Sequence, residues 1–289
     1  KLNNNDMEWK GRDQSSNVDD RRRSTGKTVG GLGCLGTIVM LLLVWMLGGD
    51  PLQFLQQVGT QSPQTQQTHQ PSAAEDELAQ FVSVVLKDTE DVWSKLFREN
   101  YGREYIKPTL VMFTGSTQSG CGFASSQTGP FYCPADNKLY IDLSFYQDLK
   151  NKFKAPGDFA MAYVIAHEVG HHVQNLLGIH EQVQSQRRRL SEAQNNQMSV
   201  RVELQADFLA GVWAHHAQKM KSILEPGDIE EALNAANSIG DDRLQRQSQG
   251  HVTPDSFTHG TSAQRMKWFK KGFDTGDVTQ GNTFNTGDL

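Results

Sequence analysis

His167 and His171 lie four residues apart, Glu168 directly follows the first, and these are the residues of this chain best suited to chemistry. On a helix that spacing puts both imidazoles on one face, one turn apart. Each can offer a ring nitrogen about 2.0–2.1 Å from a single zinc ion, while Glu168 points toward the water that completes the shell. Zinc makes such a water acidic near a pH of about 7, and Glu168 stands as the general base, not as a ligand. A catalytic zinc keeps three protein ligands and one open position, so a third ligand must come from elsewhere. The extended pattern that would supply it from the same segment needs Gly and then His where this chain has Gln174 and Leu177, which excludes that subclass.

Downstream, Glu203 and Asp207 sit one turn apart among Val202, Leu204, Ala206, Phe208, Leu209 and Ala210, which reads as a largely buried helix. Glu203 is the expected third ligand. Asp207 is the expected acceptor of a ligand histidine's outer ring N–H, which fixes the tautomer and strengthens the donor nitrogen. The competing reading is an ordinary solvated pair of carboxylates.

The elements that position these groups follow from periodicity. Pro156-Gly157-Asp158 breaks the chain and caps a helix whose apolar period runs through Ala160, Ala162, Val164, Ile165, Val169, Val173 and Leu176 and ends at Gly178. Leu78, Phe81, Val82, Val85, Val92, Trp93, Leu96 and Phe97 mark an earlier amphipathic helix. Pro108 to Thr114 and Lys138 to Tyr146 read as strands. The expected fold class is α+β, mostly helical with a small mixed sheet.

Between Thr28 and Gly49 the only ionisable group is the thiol of Cys34, and the run is long enough to cross a bilayer, which takes about 20 helical residues. Lys10, Arg12, Arg21, Arg22, Arg23 and Lys27 precede it and the next cation is Lys87, so the positive-inside rule puts the N-terminus in the cytoplasm. The expected organisation is a cytoplasmic segment 1–27, a transmembrane anchor 28–49, a flexible Gln/Thr/Pro-rich linker 50–74 and one domain 75–289. That predicts a single-pass inner-membrane protein with its catalytic domain periplasmic or extracellular. Cys121 and Cys133 are then expected as a disulfide, with buried free thiols and metal ligation as competing readings. Net charge is −5, and Arg187-Arg188-Arg189 has no accompanying aromatic pattern, so it reads as a solvated helix face and no nucleic acid is expected. His172, His180, His215, His216 and His251 have no supporting spacing and read as structural.

The chain resembles a family known as putative neutral zinc metallopeptidases, which belong with zincins whose third ligand is a glutamate. The likeness runs through Trp9-Lys10-Gly11-Arg12, Gln14-Ser15-Ser16-Asn17-Val18, the apolar run, Cys121-Gly122 to Cys133-Pro134, the His167 and Glu203 motifs and Ser256-Phe257-Thr258-His259-Gly260. It implies a zincin-like metallopeptidase domain with Zn²⁺ as cofactor and a peptide or unfolded protein as substrate. By resemblance to zincins, the strand from Lys138 is an edge that pairs with extended peptide, a plain core strand through Tyr140, Ile141, Asp142, Leu143 and Phe145 being the alternative. Phe257 to Arg265 also resembles a Thr-His-Pro…Arg element, with Gly260 in place of Pro. His259 and Arg265 would then stabilise the oxyanion formed on attack, a loop histidine and a solvated arginine being the alternatives. The expected function is a membrane-anchored zinc endopeptidase using zinc-bound water and Glu168. A catalytically silent zinc-containing scaffold and a hydrolase of non-peptide amides are the alternatives.

Overall fold

Ser72 opens the first long helix with a capping box: its side chain accepts from the Glu75 N–H while the Glu75 carboxylate accepts from the Ser72 N–H. In the computed structural model, which describes residues 7–23, 70–287 and 289, this helix, α1 (Ala73–Tyr101), buries Phe81, Val82, Val85, Trp93 and Phe97. Gly102, in the left-handed conformation, ends it.

The sheet is small and mixed. Strand β1 (Val18–Asp20) pairs parallel with β2 (Thr109–Phe113), and β2 pairs parallel with β6 (Lys138–Asp142). Strand β5 (Phe131–Cys133) runs antiparallel to β6, giving the order β1-β2-β6-β5. A separate hairpin of β3 (Ser116–Ser119) and β4 (Gly122–Ser125) is tied to β5 by the Cys121–Cys133 disulfide. The strand expected from Lys138 to Tyr146 stops at Asp142, whose carboxylate accepts from the N–H groups of Gly115 and Ser144, and α2 (Phe145–Asn151) follows. That strand also lies between β2 and β5, so the free edge on this side of the sheet belongs to β5.

Helices make up the rest: α3 (Asp158–Leu176), α4 (Ile179–Arg187), α5 (Glu192–Lys221), α6 (Asp228–Ser238), α7 (Asp241–Gln249) and α8 (Ser262–Thr275). Helix α3 is buried along most of its length because it meets α1, α5, α6 and the sheet side at once. Phe159 stacks on Trp213 of α5 with ring centroids 5.9 Å apart, and Tyr163 meets Phe269 of α8 edge-on at 5.3 Å.

The transmembrane helix and the single-pass inner-membrane location expected from the sequence are corrected. Residues 28–49 lie outside the described residues, and among the described residues no helix is long and apolar enough to cross a membrane. The N-terminal segment is part of the domain: Val18 to Asp20 align with Leu110 to Met112, the Glu8 N–H reaches the Ile223 carbonyl, and Trp9 packs on Phe81. A single crossing between residues 23 and 70 would put these two halves of one sheet on opposite sides of a bilayer. The cations counted toward the positive-inside rule have another use, since Lys10 pairs with Glu77, Arg12 with Asp88, Arg21 with Asp19, and Arg22 with Asp20 and Asp76.

Candidate metal centre and its cleft

Helices α3 and α5 cross at Gly170, where an added Cβ would stand 2.9 Å from the Ala206 carbonyl oxygen. No side chain fits there, so the glycine between Glu168 and His171 lets α5 lie directly on the histidine face of α3. The crossing brings the expected ligands together. His167 Nε2 is 3.2 Å from one Glu203 oxygen and His171 Nε2 is 3.5 Å from the other, and one atom from each of the three residues lies within 4.8 Å of the others. Donors sharing one tetrahedral cation at about 2.0–2.1 Å stand about 3.3 Å apart, so this set fits zinc in size as well as in chemistry.

Each histidine is held from behind. His167 Nδ1 is 2.8 Å from Asp207 Oδ1. Asp207 is fully buried and also accepts from the Tyr163 hydroxyl at 2.5 Å and from Arg265 Nε and Nη2 at 2.8 and 2.9 Å. Burial pushes the Asp207 carboxyl up, but Arg265 and His167 overcome it and hold it down at about 2. His167 is lowered by burial yet carried to about 10 by Asp207 and Glu203. His171 Nδ1 meets Gln174 Oε1 at 2.9 Å, and Gln174 in turn donates to the Val202 carbonyl and to Gln205. These partners set both ring orientations.

Arg265, expected to face substrate, is 2 % exposed and committed to Asp207. It arrives there because α8 packs on α5 at Gly272, where a Cβ would stand 2.0 Å from the Phe208 carbonyl oxygen. Glu168 is half-buried beside the histidines. Burial pushes its carboxyl up, against His171 and His167, and the Tyr132 backbone N–H bonds to it.

An open cleft of about 860 Å³ runs past this centre. One wall is Ser126 to Tyr132, including the free edge of β5, and the other is His180, Gln184 and Arg187 of α4 with Ser199 and Glu203 of α5. Strand β5 is fixed there by the Tyr132 hydroxyl, which bonds Asn137, Asn175 and buried His172. His172 is pushed down to about 4 by burial and joins α3 to β5 and to the Ile106 carbonyl, a structural role as read from its spacing. His215 and His216 bond carbonyls of Phe273 and Gly276, away from the cleft.

His259 lines the cleft with its side chain 53 % exposed. Its loop is gathered by Asp241 at the start of α7, which accepts from the N–H groups of Thr258, His259 and Gly260 and bonds His259 Nδ1 at 3.2 Å. That hydrogen bond raises the His259 pKa against the effect of burial, with Glu203 adding to the rise. Sequence reasoning missed Gln174, His180, Asp241 and Tyr132. Gln174 carried a signal, three residues beyond His171 on the same helix face; the others are brought in by loops and neighbouring elements.

The family described as "Putative neutral zinc metallopeptidase" matches residues 7–284. "Uncharacterized protein YpfJ" of Escherichia coli strain K12 is 54 % identical over 286 residues, covering 96 % of this chain and 99 % of that protein. "Uncharacterized protein Rv2575" of Mycobacterium tuberculosis strain H37Rv is 46 % identical over 200 residues, covering 64 % of this chain and 65 % of that protein. No solved structure matches. Two imidazoles, a carboxylate and their buried supports are a donor set that zinc accepts, and with the match spanning nearly the whole chain, this protein belongs to the family described as "Putative neutral zinc metallopeptidase", which implies Zn²⁺ as cofactor.

Proposed function

We propose that the protein is a zinc-dependent endopeptidase that cleaves extended or unfolded peptide lying in the cleft along β5. One observation carries this reading: His167, His171 and Glu203 converge on a point at the cleft wall with Glu168 beside it and a free strand edge next to it. Zinc held there supplies Lewis acidity for activating water near neutral pH and for polarising the scissile carbonyl.

The chain's own groups do the rest. Extended peptide can add to β5 by backbone hydrogen bonds, which bring a carbonyl to the centre without selecting a sequence. Glu168 takes a proton from the attacking water and returns it to the leaving amine, and its raised pKa suits both halves of that exchange. His259, whose ring bonds Asp241 and whose pKa that bond raises, donates to the oxygen on which charge develops. Arg265 acts at one remove, keeping Asp207 ionised so that Asp207 can hold the His167 ring.

The full chain, loaded with zinc and incubated with denatured casein, should cleave it, stop on chelation and recover when zinc is restored. Glu168→Gln should keep its zinc and lose at least about 100-fold in turnover, the usual weight of a general base. Cleavage untouched by chelator, or undiminished in the Gln variant, overturns the reading.

A further inference from the structure

Arg187 differs from the two arginines that follow it. Arg188 and Arg189 are exposed, but Arg187, in the last turn of α4, turns inward and lines the cleft. Its Nη2 donates to Ser199 Oγ at 2.7 Å, which pins the guanidinium against α5. Its Nε is withdrawn from water and donates to no described group. Among the described residues no carboxylate pairs with it, whereas Lys152, the remaining lysine or arginine along the cleft besides buried Arg265, is paired with Asp148 at 2.9 Å. The carboxylates that face the cleft near the metal point, Glu168 and Glu203, are engaged with Tyr132 and the ligand histidines.

His180 marks where Arg187 stands. Its ring lies 6.2 Å from that of His171, its Nε2 bonds the His171 carbonyl at 3.2 Å, and the Arg187 charge acts on it. The cleft therefore runs from the metal point past His180 to an unneutralised guanidinium. A planar cation with unused donors takes carboxylates best, because two parallel N–H···O bonds match their geometry. In a chain of net charge −5 such a cation is a local exception.

We propose that Arg187 is a specificity-determining residue that receives a carboxylate of the bound peptide, so that the cleft favours acidic peptides in one register. This rests on the peptidase reading. The carboxylate can be a glutamate or aspartate side chain or the free end of a short peptide, since the chemistry is shared.

The test uses the full chain with zinc and blocked decapeptides of one common sequence, carrying Glu or Gln at successive positions, with a parallel set ending in carboxylate or amide. At one position the Glu peptide should exceed its Gln partner by about tenfold in kcat/KM, the weight of a charge-assisted hydrogen bond. In Arg187→Gln that ratio should collapse toward one, and Arg187→Lys should keep part of it. The ratio compares two substrates on one protein, so partial misfolding of a variant does not mimic the result. Calorimetric binding of the same peptides to Glu168→Gln and to Glu168→Gln/Arg187→Gln asks the question without turnover. If zinc-dependent cleavage is absent the peptidase reading falls, and the binding pair still decides Arg187. Loss of preference on amidation assigns the carboxylate to the chain end; preference tied to an internal Glu assigns it to a side chain. Equal behaviour of Glu and Gln peptides in the parent proteins, or a ratio that survives Arg187→Gln, overturns the proposal.

Discussion

Two trios of metal-ligand residue types gather along helix α3, one at its start and one at its centre, each completed from a neighbouring helix, and their chemistry diverges. Asp158, Asp228 and Glu231 gather at the N-terminal end, His167, His171 and Glu203 two turns further on, and in both trios one atom from each residue lies within 4.8 Å of the others. One oxygen of each member of the acidic trio is used on backbone: Glu231 accepts from the Phe159 N–H, Asp228 from the Glu225 N–H, and Asp158 from the Met7 N–H. The Glu231 bond satisfies an orphan donor at the start of α3, where a negative charge also meets the positive end of the dipole. The central trio turns its donor atoms toward one another, with other side chains holding the imidazoles from behind. Proximity of ligand types is therefore a weak sign of a metal centre; the direction in which their remaining valences are engaged is the strong one.

The sharpest way to break that contrast is to remove a ligand. His167→Ala or Glu203→Ala should reduce bound zinc from one equivalent to near none, with circular dichroism unchanged and peptide cleavage gone. Full zinc content in either variant would falsify the assignment of the centre. A third carboxylate sharpens the contrast because it does both jobs: Asp241 gathers the backbone N–H groups of residues 258 to 260 and reaches the His259 ring. Its hydrogen bond raises the His259 pKa above 6.5, so His259 stays protonated to higher pH. In Asp241→Asn the His259 pKa falls back, so the alkaline limb of kcat/KM should move to lower pH, with zinc content unchanged and a loss of about tenfold or more on that limb. An unmoved limb would separate His259 from catalysis. The smallest effect belongs to the acidic trio. Glu231→Ala should cost about 1–2 kcal/mol for the lost helix-start bond, seen as a Tm lower by about 2–8 °C, while zinc stays at one equivalent. Loss of zinc there would merge the two trios into one system.

Much of the centre was legible along the chain, because helical spacing converts directly into geometry. His167 and His171 share a face, Glu203 and Asp207 share another, and each pair needs only its own helix to be read. The strand at Thr109–Phe113 and the start of α3 at Asp158 follow from the same local rules. Arg265 was singled out without its partner, since nothing in Ser262 to Thr275 says that this helix meets α5 at Gly272 and delivers the guanidinium to Asp207. Arg187 was absorbed into a run of three arginines, although only the tertiary fold turns one of them inward. The membrane assignment failed for a related reason: Lys10, Arg12 and Arg22 were counted as topology signals when Glu77, Asp88 and Asp76 of α1 hold them, and Arg21 is paired locally with Asp19.

The sequence by itself determined which groups could hold a cation and which could move a proton, because residue type and a period of 3.6 need no knowledge of the rest of the molecule. Only tertiary structure decided that α3 and α5 touch at a glycine, that β5 forms the free edge by the cleft, and that residues 7–23 complete the sheet. Those outcomes depend on contacts between segments far apart in the chain, which are set by the burial of whole faces and by the absence of a side chain at Gly170, not by local spacing.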